Sequence, residues 1–173
     1  MERIRIVVLA VFAAVGYGIV HDQVTARICI EYFTIGHPPI IRSTSPTVLA
    51  FGWGVIATWW VGLPLGLLLA FAARAGKRPK LKAADLQRPM LLLLAVMATS
   101  AVIAGSVGGI LAARGSVWLD PWLKQAIPRQ HQVPFLIDLW AHSASYLVGI
   151  VGGLTLALWT WRARVRQHLA AAT

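Results

Sequence analysis

The sequence predicts an all-α membrane protein: a bundle of four transmembrane helices with an extended or partly ordered loop over its mouth. Three observations carry this reading. Charged residues make up only 13% of the 173-residue chain, about half the roughly 25% of a soluble domain, and mean hydropathy is +0.69. Four apolar runs are each long enough for a ~30 Å hydrocarbon core, which takes about 20 helical residues. The basic residues lie between and after these runs rather than inside them.

The predicted spans cover residues 4–25, 47–73, 89–113 and 135–161, within one integral membrane domain, 1–173. The start of the first, MERIR followed by apolar residues and the triplet Ala14-Val15-Gly16, also fits a cleavable signal peptide. The expectation is an uncleaved first helix. Pro64 should kink the second span. Gly62 and Gly66, Gly105 and Gly109, and Gly149 and Gly153 each form GxxxG, which allows close helix approach within one chain or between copies. Ser116 to Ile127 suits a short segment on the membrane surface anchored by Trp118 and Trp122, and Trp140, Trp159 and Trp161 suit the interfacial belts.

Lysine and arginine orient the bundle. Arg3 and Arg5 precede the first span, Arg74, Lys77, Arg78, Lys80, Lys82 and Arg88 join the second to the third, and Arg162, Arg164 and Arg166 follow the fourth. Only Arg27, Arg42, Arg114, Lys124 and Arg129 fall on the other side. The positive-inside rule then puts both termini in the cytoplasm of a cell whose inner membrane holds the chain, with loops 21–46 and 114–134 outside. This distribution turns the net charge of +10 away from nucleic acid and towards ordinary topogenic use; the expected partners are the bilayer and, through the GxxxG faces, a second copy or a larger complex. The single cysteine, Cys29, excludes an internal disulfide and a CxxC redox or zinc motif.

Ionisable residues are distributed unevenly. His21, His37, His131, His142, Asp22, Glu31, Asp120 and Asp138 all fall on the outer side or at outer-leaflet depth. Counting about 20 residues in from each cytoplasmic end puts His21 and Asp22 level with His142, and Asp138 one turn away on the same helix face. Such groups normally face a bundle interior and pair with each other or a ligand. Residues 23–32 alternate polar and apolar with period two, which favours an extended segment, with a helical continuation as the alternative.

Tyr17, Gly18, Asp22, Gln23, Thr25, Glu31, Tyr32, Phe33 and Thr34 spell a tyrosine-glycine span end followed by DQxT and EYFT. This stretch resembles small uncharacterised bacterial multi-pass membrane proteins; the resemblance implies a membrane bundle and brings no activity.

Four functional readings follow. A mononuclear or dinuclear transition-metal site (Zn, Fe, Mn or Cu) would draw on His21, Asp22, Glu31, His37, His131, Asp138 and His142, and a metal-dependent membrane enzyme would extend it. A structural network would instead pair Asp22 with Arg27, Glu31 with Arg42, and His142 with Ser106 or Thr99. A b-type haem would take His21 and His142 as axial ligands. An accessory subunit of a membrane complex is the fourth. A transporter is disfavoured by the lack of an inverted repeat or a pair of broken helices, and no residue identifies a substrate.

Overall fold

A computed structural model describes residues 1–170. They form α1 (Glu2–Ile28), α2 (Ile30–Thr34), α3 (Pro46–Ile56), α4 (Trp59–Arg74), α5 (Ala83–Ala113), α6 (Pro121–Ala126), a 3₁₀ turn (Arg129–His131) and α7 (Gln132–Ala170), with no strand among the described residues. Four stretches are long and apolar enough to cross a membrane: Glu2–Ile28, Pro46–Arg74, Ala83–Ala113 and Arg129–Ala170. These are the four expected spans with longer ends. The third helix starts six residues before Pro89 because the Asp85 carboxylate accepts from the Lys82 N–H at 2.7 Å and caps the end.

The extended reading of residues 23–32 does not hold. Helix α1 continues to Ile28, and only Cys29, at φ −147° and ψ 103°, is extended before α2 begins. The buried positions are Asp22, Thr25, Ala26 and Cys29, the i, i+3, i+4, i+7 pattern of a helix face. The polar residues that mimicked a strand satisfy themselves along the helix. Thr25 Oγ1 donates to His21 O at 3.2 Å, and Arg27 donates to the Gln23 carbonyl and side-chain oxygens.

The second span breaks where the sequence did not indicate it. Pro64 lies inside α4, whereas the interruption between α3 and α4 falls at Ala57 and Thr58. Thr58 Oγ1 donates to Gly54 O, and Tyr146 of α7 donates its hydroxyl to the Ala57 carbonyl at 3.2 Å. Irregular backbone inside a span is tolerated only where protein supplies such partners. Gly18 and Gly54 let α1 cross this break closely. A Cβ on Gly54 would lie 2.6 Å from Ile19 Cα, and one on Gly18 would lie 2.7 Å from Gly54 O.

Helix α1 packs along α3 and α4, α5 along α7, and α4 joins α7 to close the bundle. The three GxxxG pairs are used inside the chain. Gly62 and Gly66 receive α1 at Ala14 and Ala10, Gly105 and Gly109 receive Ile137, and Gly149 and Gly153 receive Met97 and Leu65. Trp140 packs on Gly108, and Trp161 stacks on Phe71 with Arg78 above its ring at 4.7 Å, so both hold the bundle together. Trp118, just before α6, and Trp122, within it, are exposed, while Leu119 and Ile127 on either side of α6 are buried.

Two apolar clusters close the ends. One gathers Cys29, Phe33, Leu49, Trp53, Ile127 and Phe135 where α1 finishes and α7 begins, hereafter the site end. The other gathers Ile6, Leu69, Ala73, Leu86 and Met90 at the opposite end. There the fully buried Arg164 donates to the carbonyls of Ala72 (2.6 Å), Ala75 (2.7 Å), Arg78 (3.2 Å) and Pro79. A cation on the unsatisfied carbonyls of α4 caps that helix and pins the link that follows it.

Candidate metal centre

Two helices supply the centre. On α1, Tyr17, His21 and Thr25 are spaced by fours, with Asp22 beside them. On α7, Phe135, Asp138, His142, Ser145 and Gly149 form a buried stripe in steps of three and four. Where the stripes meet, His21, Asp22 and His142 each offer one ligand atom, all within 4.8 Å of one another. Asp22 and His142 are only 5% and 8% exposed. The depth matching read from the sequence thus brings these three residues together.

Hydrogen bonding fixes what the donors can do. His142 Nδ1 lies 2.8 Å from the Asp138 carbonyl oxygen, which can only accept, so Nδ1 carries the ring proton. In the neutral ring Nε2 is then a lone pair, and it faces Asp22 Oδ1 at 3.2 Å. Two acceptors at that distance require a proton or a cation between them. His21 Nε2 is buried without a hydrogen-bond partner. An imidazole whose Nδ1–H is tied to a carbonyl while Nε2 stays free is the usual arrangement of a metal ligand.

His37 repeats it one step further out. Its Nδ1 donates to the Tyr32 carbonyl at 2.7 Å, and its ring lines the same cavity. Burial holds His37 below the ordinary histidine range against the opposing pull of that carbonyl, so the ring is neutral and able to coordinate. A tetrahedral ion with bonds of ~2.0–2.1 Å sets its donors about 3.3 Å apart, and the His142–Asp22 separation of 3.2 Å already matches.

The remaining candidates stand apart. Asp138 is fully buried, and neither carboxylate oxygen has a hydrogen-bond partner. The Cys29 N–H near it is committed to the Thr25 carbonyl at 3.0 Å. Asp138 serves the centre through its backbone, while its carboxyl group needs a proton or a cation of its own. Glu31 pairs with His131, Oε1 to Nδ1 at 2.5 Å, and accepts from Cys29 Sγ at 3.4 Å. Burial opposes the charge on Glu31, but bonds from its own backbone N–H and from His131 outweigh it and hold the carboxyl below the usual range. Burial pushes the Cys29 thiol up to about 12, which removes it as a thiolate ligand.

None of the pairings of the structural network forms as expected. Arg27 reaches Gln23 and Thr47 instead of Asp22, Glu31 takes His131 instead of Arg42, and Thr99 donates to its own helix at Ala95 instead of to His142. A haem also does not fit. The His21 and His142 ring centroids are 4.5 Å apart with planes at 81°, and side chains fill the glycine faces that would have admitted a flat macrocycle.

Sequence reasoning missed the surroundings. All three tyrosines of the chain meet at the centre. Tyr17 stacks on His21 and bonds Ser145 Oγ at 2.8 Å, Tyr32 stacks on His142 at 4.4 Å, and Tyr146 holds the helix break. The signal for Tyr17 was present in its i, i+4 spacing to His21, and that for Ser145 in its i, i+3 spacing to His142. The donors open onto a cavity of about 60 Å³ walled also by Trp53, Thr58 and Val61. No protein-family model, curated protein or solved structure matches the chain.

Proposed function

We propose that this chain is an integral membrane protein of the inner membrane that binds one transition-metal ion through His21, Asp22 and His142, with His37 within reach as a fourth ligand. One observation carries the reading: three donor atoms from two helices converge within 4.8 Å, with the His142 tautomer set so that its lone pair points into the group. Imidazole with carboxylate suits Zn, Fe, Mn or Cu. The excess of lysine and arginine at the opposite end supports cytoplasmic termini, which puts the centre at outer-leaflet depth. Bound there through the three converging donors, with the fourth position taken by His37 or left to the cavity, a metal would act in the open case as a Lewis acid on water or a small ligand.

Elemental analysis of protein purified in mild detergent tests this. One metal per chain is expected, lost in His142→Ala and retained in Glu31→Gln, whose side chain belongs to the separate His131 pair. A metal-free wild type, or metal kept by His142→Ala, would leave Asp22 and His142 as a hydrogen-bonded network. For orientation, Ser43→Cys should react with an impermeant thiol reagent added outside intact cells and Lys80→Cys should not. The reverse pattern would invert the topology.

A further inference from the structure

The space beneath the centre continues into the bundle. The cavity of about 60 Å³ shares Ala14, Val61, Met97 and Gly149 with a second of about 90 Å³ that lies between all four spans. The second has no polar side chain in its wall and extends to Met90 and Leu156. From His142 to Leu156 the pair follows about fourteen residues of α7, ~21 Å at ~1.5 Å per residue.

Size and lining decide what can occupy it. A water needs about 10–15 Å³ and two to four polar partners, so the lower cavity has the room but not the partners. A lipid tail is far too large. An ion has no counter-charge on the wall. Apolar cavities of this order stay dry and take up xenon or benzene, at ~150 Å³ in the engineered case. Met97 stands at the join, its Cε 3.0 Å from where a Gly149 side chain would begin; a flexible thioether there can swing aside.

We propose that the bundle interior holds a small, uncharged, lipid-soluble molecule of the size class of dioxygen and delivers it past Met97 to the metal centre. The delivery half rests on the metal reading, and the occupancy half stands on the cavity alone. The chain has three methionines, of which Met90 and Met97 line the cavity while Met1 is 95% exposed. Protein labelled with ¹³C at the methionine methyls, in nanodiscs, is titrated with xenon while its metal content is measured in parallel.

The Met90 and Met97 signals should shift saturably and that of Met1 only linearly. Val61→Phe, which fills the join, should weaken the saturable part at least tenfold. Met97→Ala, which enlarges the join, should strengthen it and covers the case in which the larger side chain fails to fold. Linear shifts at all three methyls, or saturation unaltered by Val61→Phe, would overturn the inference even if metal is bound. Saturable shifts in a protein that binds no metal would keep the occupant and overturn its delivery to a metal.

Discussion

Asp22 is the one carboxylate among the three converging donors, so its charge offers the sharpest perturbation. Asp22→Asn keeps the shape and removes the charge that a divalent ion needs nearby. At a metal concentration about 100-fold above Kd, binding to the folded state alone adds about 2.7 kcal/mol of stability. Loss of groups that merely orient ligands costs about 10–100-fold in affinity, and loss of a charged ligand should reach at least the upper figure. At the same metal concentration the free ion then equals the new Kd, and the added stability falls to RT ln 2, about 0.4 kcal/mol. With roughly 2–4 °C per kcal/mol for a chain of this size, the metal-dependent rise in Tm drops from roughly 5–11 °C to about 1 °C. The eight tryptophans report unfolding of chelator-stripped protein with and without the added ion. An equal rise in wild type and Asp22→Asn would refute coordination by Asp22.

Three further outcomes follow from other parts of the fold. Tyr146→Phe removes the donor to the Ala57 carbonyl at the helix break and should cost about 1–3 kcal/mol by thermal unfolding; no loss would mean that the carbonyl finds another partner. Arg164→Met deletes the charge-assisted bonds to four carbonyls and should cost about 3 kcal/mol or more, with faster tryptic cleavage in the link at Lys77 and Lys80. Unchanged proteolysis would show that the link holds without it. His37 has a folded pKa below its ordinary 6.5, so on acidification the unfolded chain takes the proton first. Stability should be full above about pH 6.5 and fall as pH drops below it towards the lower folded value, and His37→Asn should flatten that fall. An identical pH profile in the variant would remove His37 as its source.

The spans were legible because hydropathy and basic-residue placement are summed over many residues and survive local error. The shared depth of His21, Asp22 and His142 was legible for a related reason: a helix advances a constant ~1.5 Å per residue, so counting gives depth. What counting cannot give is azimuth. Asp138 matched His142 in depth and face, yet its carboxylate is not among the converging donors and only its carbonyl bonds to the centre. Residues 23–32 misled because polarity alternated while burial followed the helix; Gln23 and Arg27 bond along α1 itself, a use that polarity alone does not distinguish from a strand's outer face. The break at Ala57 left no local mark. It depends on Tyr146, 89 residues away.

Places where a sequence departs from local rules tend to be functional, because each departure must be offset elsewhere. Here several departures fall together. The second span is broken at Ala57 and Thr58, which line the same cavity as His21, Asp22 and His142. His21 Nε2 is buried without a partner, and His142 Nε2 faces a carboxylate oxygen with its own proton committed to Asp138. A purely structural core would be better served by apolar residues at these positions, since a partly satisfied polar network is worse than none. A cation at the meeting point resolves two of these anomalies at once, by accepting the Nε2 lone pairs of His21 and His142 and balancing the charge of Asp22. The break belongs to the same site: Ala57 and Thr58 line the cavity beside the donors, and Tyr146, which also lines it, holds the freed Ala57 carbonyl.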